Sequence, residues 1–128
     1  MSLILLLSSK SPQALLRKAD MFTEAGKVSD IVPGGMKAVD IGGSKIVICN
    51  LDNTFYAVER RCSHLGASLD MGTLEGYILT CPLHYAQFDI TTGEALSGPV
   101  PPDPKHQTRD LVTYPLKIEA DSIKVDIS

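Results

Sequence analysis

Short runs of alternating apolar and polar residues, separated by turn residues, fill most of the chain after residue 21. The run from Ser44 to Asn50 is β-branched and apolar, which is typical of a buried strand. Five further runs are predicted to be strands: 36–40, 54–59, 77–80, 87–90 and 123–126, the last paired across 120–122 with either 111–114 or 116–118. Many short strands with frequent turns indicate an all-β fold, an antiparallel sandwich or barrel.

The first 20 residues are predicted to form an extension before the main domain, which spans residues 21–128. Ser11 followed by Pro12 is typical of a helix start, and residues 13–18 continue a short helix with one apolar side. We expect this helix to pack on the domain edge, and a contact between two copies of the chain is the alternative. The apolar run at residues 3–7 is too short for a secretory signal or a membrane span. We therefore expect a soluble, cytoplasmic protein that does not bind a membrane.

Composition narrows the class of protein. A chain of 128 residues is one domain by length, and its formal net charge of −3 is mild. Lysine and arginine are scattered and tryptophan is absent, so we expect no nucleic-acid partner. Three cysteines are an odd number, which fits reduced thiols and metal binding better than a disulfide framework.

Rare metal-binding residues cluster between positions 62 and 84. Two short segments, Cys62-Ser63-His64 and Cys81-Pro82-Leu83-His84, each supply one thiolate and one imidazole. These ligand types suit zinc, and they also suit iron in an iron–sulfur cluster. Zinc ligand pairs usually have at least two residues between them, whereas Cys62 and His64 are separated by one. A binuclear, sulfide-bridged centre is the second arrangement that fits, with both sulfurs on one metal and both imidazoles on the other.

The four ligands resemble the Rieske motif, in which two histidines replace two cysteines on one iron of a [2Fe–2S] cluster. The resemblance to a Rieske ferredoxin extends over residues 25–127, through segments 26–28, 55–57, 74–76, 88–89 and 92–94. It implies a Rieske fold with a small cluster-binding subdomain, whose loops at about 61–67 and 81–86 hold one cluster per chain. It further implies that the inner ferric iron is bound by Cys62 and Cys81, and the outer, reducible iron by His64 and His84.

Four positions depart from the high-potential branch of this family. That branch has two cysteines joined in a disulfide where this chain has Ala67 and Leu83. It also has serine and tyrosine hydroxyls, which donate to the cluster sulfurs, where this chain has Ala86 and Phe88. Hydrogen bonds to sulfur stabilise the more negative reduced cluster, so their loss lowers the potential. We expect a potential at the low end of the Rieske range, about −150 mV.

The resemblance implies a one-electron carrier that accepts electrons from a reductase and passes them to a terminal enzyme such as a ring-hydroxylating oxygenase. The chain is not expected to be a catalyst itself, because a mononuclear oxygenase iron needs two histidines and a carboxylate, and only His106 remains. One alternative is the small Rieske subunit of a larger redox enzyme, similar to that of nitrite reductase. The other is a zinc-stabilised interaction module.

Residues near the four ligands are predicted to form an apolar collar that shields the cluster and contacts a partner. They are Leu65, Leu83 and Tyr85, which lie beside the ligands in sequence, and the proline-rich segment 99–102, which the resemblance implies is near the cluster. The alternative is that Tyr85 and the prolines only pack the loops.

The remaining chemically active residues have simpler interpretations. Cys49 is predicted to be a core thiol and His106 an exposed loop residue. Arg60 and Arg61 are expected to be solvated or to attract an acidic partner. Loop hydrogen-bond acceptors are predicted at Asp70, Glu75 and Asp89.

Overall fold

The computed structural model describes residues 21–63, 66–102 and 108–128. These residues form eleven strands: β1 (Phe22–Lys27), β2 (Met36–Ile41), β3 (Ser44–Leu51), β4 (Thr54–Glu59), β5 (Thr73–Glu75), β6 (Ile78–Thr80), β7 (Gln87–Asp89), β8 (Ala95–Ser97), β9 (Thr113–Tyr114), β10 (Leu116–Glu119) and β11 (Ser122–Asp126). Two short 3-10 helices, Val28–Asp30 and Leu69–Met71, complete the described elements. The predicted helix at 13–18 and the residues His64, Leu65 and His106 lie outside the described ranges.

Three antiparallel sheets build the fold. Their strand orders are β1-β11-β10, β2-β3-β4-β9 and β5-β6-β7-β8. The predicted all-β class is therefore confirmed. Within the described ranges, no helix has the length and apolar character needed to cross a membrane.

Strand β3 separates two hydrophobic cores because successive side chains of a strand point to opposite faces. Ile46 and Ile48 contribute to one core, and Val47 and Cys49 contribute to the other. The first, called here the sandwich core, contains Ala25, Ile31, Ile41, Ile46, Ile48, Phe55, Ala57, Ile123 and Val125. The second, called here the subdomain core, contains Val47, Cys49, Val58, Cys62, Leu69, Leu79, Cys81, Ala86, Phe88, Ile90 and Leu111. The buried strand predicted from its apolar run is thus shared by both halves of the molecule.

Pro115 resolves the ambiguity at the C-terminal hairpin. Before it, β9 pairs with β4, and after it, β10 pairs with β11. Proline has no backbone N–H, so it suits a position between two ladders, and its carbonyl accepts from the N–H of Asp126 at 3.0 Å. The predicted pairing of 116–118 with 123–126 is therefore confirmed, whereas 111–114 contributes only the short β9 to a different sheet.

Strands β4 and β6 position the predicted ligands. Strand β4 ends at Glu59, three residues before Cys62, and β6 ends at Thr80, immediately before Cys81. Short strands β5 and β8, which the sequence pattern did not predict, complete the small sheet around β6 and β7. Each is three residues long, too short for an alternating pattern to identify it.

Candidate metal centre

The two predicted ligand loops close in the same way. The backbone N–H of Cys62 donates to the carbonyl of Ala67 at 2.7 Å, and that of Cys81 donates to Ala86 at 2.8 Å. In each loop the cysteine thus bonds to the residue five positions later. A second hydrogen bond, from the N–H of Gly66 to the carbonyl of Cys62 at 2.7 Å, tightens the first loop.

Left-handed backbone conformations turn both loops. Gly66 has a φ of 74°, and His84 and Tyr85 both have a φ of 64°. A left-handed conformation costs a residue with a Cβ about 1–2 kcal/mol, so tertiary contacts must hold the second loop in place. One such contact is the N–H of Val100, which donates to the carbonyl of His84 at 2.6 Å. Val100 of the proline-rich segment 99–102 therefore lies against the second loop, as the resemblance implied.

The thiols of Cys62 and Cys81 are buried together in the subdomain core. Burial raises the pKa of Cys81, the Leu83 N–H lowers it by donating to the Cys81 sulfur, and hydrogen bonding with the Cys62 thiol raises it, so that the pKa is about 11. A thiol with this pKa is protonated at neutral pH, and it ionises readily only if a cation compensates for its burial. A pair of adjacent buried thiols with a backbone donor is therefore suited to a metal ion.

The His84 imidazole is exposed, in contrast to the two thiols. Within the described ranges, no group of three or more histidine, cysteine or acidic residues is close enough to hold one metal ion. Four ligands of a single tetrahedral zinc ion would lie within about 2.0–2.3 Å of it. Among the described predicted ligands, Cys62 and Cys81 are thus buried and His84 is exposed.

Apolar residues occupy the four positions at which this chain departs from the high-potential branch. All three cysteines of the chain are free thiols, and Ala67 and Leu83 occupy the positions of the missing bridge. Ala86 and Phe88 are fully buried in the subdomain core with Cys62 and Cys81. Neither side chain carries a hydroxyl group that can donate to a cluster sulfur.

Exposed apolar side chains lie on the second loop and beside it. Leu83, Tyr85 and Val100 are 50%, 63% and 64% exposed. Single exposed apolar side chains are common, whereas three of them on and beside one loop at a candidate metal site fit the predicted contact surface. These three residues are members of the predicted collar, and from here on the term collar refers to Leu83, Tyr85 and Val100.

The other predicted residues have structural roles. Cys49 is fully buried in β3, and burial raises its pKa to about 12, so the prediction of a core thiol is confirmed. Asp89 accepts from the N–H and hydroxyl of Thr91 at 2.8 and 2.6 Å, and Asp70 accepts from the Ser68 hydroxyl. Their predicted role as acceptors is confirmed, but Asp89 ends strand β7 and Asp70 lies in a 3-10 helix rather than in a loop. Glu75 is exposed on strand β5 rather than in a loop.

The two arginines before the first ligand differ from each other. The guanidinium of Arg60 is only 16% exposed and pairs with Asp40 at 2.6 Å. The prediction of a solvated or partner-seeking side chain is therefore wrong for Arg60. Arg61 is exposed, and its backbone forms an isolated β-bridge with Ser68 at the base of the first loop.

Sequence reasoning missed Ser63, Glu59 and Arg109. The Ser63 hydroxyl donates to the Arg109 carbonyl at 2.6 Å and accepts from the Arg109 N–H at 3.0 Å. The only available sequence signal was that a hydroxyl residue stands between two predicted ligands. Nothing in the sequence indicates its partner, which is 46 residues away.

Comparison with known proteins identifies the architecture. The family model of the Rieske [2Fe-2S] domain matches residues 21–115. The ferredoxin component of the naphthalene 1,2-dioxygenase system of Pseudomonas putida is 36% identical over 105 residues, which cover 82% of this chain and 94% of that protein.

Solved structures agree with this match. The ferredoxin of carbazole 1,9a-dioxygenase from Nocardioides aromaticivorans IC177 has a TM-score of 0.75 and 25% identity, over 84% of this chain and 98% of that one. A chain in the complex of reduced oxygenase and oxidised ferredoxin of carbazole 1,9a-dioxygenase has a TM-score of 0.73 and 28% identity, over 83% of this chain and 93% of that one.

Proposed function

The chain belongs to the Rieske [2Fe–2S] domain family, and on this basis we propose that it is a one-electron carrier of a ring-hydroxylating oxygenase system. It accepts an electron from a reductase and delivers it to the terminal oxygenase. The relatives named as ferredoxin components of such systems match it over 85% to 98% of their length. The observation that carries the proposal is the pair of equivalently closed loops, in which two thiols are buried together and His84 is exposed.

The cofactor of this family is one Rieske [2Fe–2S] cluster, which supplies a single reversible electron. We propose that Cys62 and Cys81 hold the inner iron and that His64 and His84 hold the outer iron. The burial of the two thiols and the exposure of His84 support this arrangement. The backbone N–H of Leu83, which donates to Cys81, stabilises negative charge on that sulfur.

We also propose that its potential lies at the low end of the Rieske range, about −150 mV, and two features of the chain support this. The side chains of Ala86 and Phe88 cannot donate to sulfur, and Ala67 and Leu83 leave no bridge between the loops. All four side chains are apolar, so none of them donates a hydrogen bond that would stabilise the reduced cluster. A low potential suits a carrier that drives oxygen-dependent chemistry and does not suit oxidation of a quinol.

The collar is the proposed contact surface for the oxygenase. Leu83, Tyr85 and Val100 surround the loop that carries His84, so a partner that covers them approaches the outer iron. Burial of these side chains excludes water from the interface and favours association. We also propose a cytoplasmic location, which suits the free thiols because disulfides are rare in that compartment.

Reconstitution of electron flow tests the proposed function. The purified protein is assayed for iron, acid-labile sulfide and visible absorption, then mixed with NADH and an oxygenase-system reductase, and finally with a terminal oxygenase and its aromatic substrate. We expect reduction by one electron per chain and reoxidation only when the oxygenase is present. A colourless protein without iron and sulfide would contradict the cofactor, and a reduced protein that no ring-hydroxylating oxygenase reoxidises would contradict the acceptor.

A further inference from the structure

Ser63 lies between the proposed ligands Cys62 and His64, and its hydroxyl is bonded on both sides to one distant residue. It donates to the carbonyl of Arg109 at 2.6 Å and accepts from the N–H of the same residue at 3.0 Å. One side chain thus satisfies both backbone polar groups of Arg109. A serine hydroxyl can donate once and accept twice, so this geometry uses its donor and one acceptor site.

The segment that receives Ser63, residues 109–112, is itself attached to strand β4. The Arg109 guanidinium binds the Glu59 carboxylate through two nitrogens, at 3.1 and 2.9 Å. Glu59 also accepts from the N–H of Val112 at 3.1 Å, and its own N–H donates to the Val112 carbonyl at 2.8 Å. Paired, fork-shaped contacts between arginine and carboxylate are geometrically specific. The Glu59 side chain is 18% exposed, so this contact is partly shielded from water.

The same segment also contacts the sheet that carries the second loop. The Asp110 carboxylate accepts from the N–H of Ala95 at 2.9 Å, and the N–H of Leu111 donates to the Gly93 carbonyl at 2.7 Å. Leu111 is buried in the core that contains Cys62 and Cys81. Residues 109–112 therefore connect the first ligand loop, the end of β4 and the β7–β8 turn.

We propose that Ser63 is a positioning residue, which through Arg109 and Glu59 holds the first ligand loop in place for the cluster. This inference rests on the proposed assignment of His64 as a ligand. Groups that hold a metal ligand in place commonly change metal affinity 10- to 100-fold when removed. Ser63 holds the loop only through hydrogen bonds, so its contribution can be removed without changing a ligand or a charge.

The test compares Ser63→Ala and Ser63→Thr with the unaltered cluster-loaded protein. Ser68→Ala is the matched control, because its hydroxyl contacts Asp70 beyond the end of the same loop and does not contact residues 109–112. Pulsed EPR of the reduced cluster measures the couplings of the histidine nitrogens, and transfer of iron to a chelator measures cluster loss. We expect Ser63→Ala to alter the couplings of one histidine and to accelerate cluster loss about tenfold. Ser63→Thr should restore both values, and Ser68→Ala should leave them unchanged.

Specific outcomes would overturn the inference. Unchanged nitrogen couplings and cluster loss in Ser63→Ala would show that the hydroxyl does not position the loop. If Ser63→Ala does not fold, Glu59→Gln is the second variant, because it weakens the contact with Arg109 and leaves the residues of the ligand loop unchanged. Unchanged nitrogen couplings in Glu59→Gln would likewise overturn the inference. Failure of the ligand assignment is distinguishable, because the unaltered protein would then lack two coupled histidine nitrogens.

Discussion

Cys62 and Cys81 begin loops that are closed by equivalent hydrogen bonds, each from the cysteine N–H to the carbonyl five residues later. The two thiols meet in the subdomain core although 19 positions separate them in the chain. Equivalent closure of two loops that follow strands of different sheets brings the two sulfurs together in the subdomain core.

Replacement of either loop cysteine should abolish the cluster. Cys62→Ser and Cys81→Ser each remove a thiolate, and a buried hydroxyl is a poor iron ligand, so we expect loss of visible absorption and of iron and acid-labile sulfide. Cys49→Ala is the control, because Cys49 is an equally buried thiol on strand β3. Full cluster content in either loop variant would refute its assignment as a ligand.

A hydroxyl group at position 86 should raise the midpoint potential. Ala86 is fully buried with both thiols, and Ala86→Ser adds one donor at that position. A hydrogen bond that is stronger by about 1–1.5 kcal/mol in the reduced state raises a one-electron potential by ~40–65 mV. Protein-film voltammetry measures the shift.

Ala57→Ser is the matched control for this experiment. Ala57 is also buried, but it belongs to the sandwich core on the other face of the central sheet. Its variant should keep the original potential. An equal shift in both variants, or no shift at position 86, would contradict the proposed origin of the low potential.

A polar residue in the collar should slow delivery of electrons without changing the cluster. Tyr85→Asn is suitable because Tyr85 has a φ of 64°, which asparagine tolerates, and because the change is neutral. Stopped-flow reoxidation by the oxygenase should be about tenfold slower at subsaturating partner, which corresponds to about 1.4 kcal/mol of lost association energy. The potential and spectrum should remain those of the original protein.

Ile118→Asn is the control for the collar. Ile118 is also an exposed apolar residue, but it lies on β10 in the sheet that contributes to the sandwich core. Reoxidation that slows equally in both variants would indicate a general loss of solubility or folding rather than a contact at the collar.

Cys49 should make the stability of the protein sensitive to alkaline pH. Burial raises its pKa from 9.0 to about 12, so the folded state keeps the proton that the unfolded chain releases. The contribution of this protonated thiol to the free energy of unfolding is therefore complete below pH 9. It decreases as pH rises toward 12, by about 1.4 kcal/mol per pH unit. Denaturant unfolding is measured in parallel for the original protein and for Cys49→Ala. The difference between their free energies of unfolding should narrow above pH 9. A constant difference from pH 7 to 11 would contradict this titration.

Residue type and spacing are local properties of the chain, and they were sufficient to predict the all-β class, the family and the four proposed ligands. Cysteine and histidine are rare in this chain, and most of them lie between Cys62 and His84. Their pattern can therefore be recognised without a structure. The β-branched, apolar run of β3 predicted a buried strand for the same reason.

Tertiary structure alone decided which residues support the candidate site. Ser63 and Arg109 are 46 positions apart, and Glu59 and Arg109 are 50 apart, so no local pattern can indicate their contacts. The pairing of Arg60 with Asp40 likewise depends on how two strands end in space, and the sequence prediction for Arg60 was therefore wrong. The division of β3 between two cores has the same origin, because only the packed sheets determine what each face contacts.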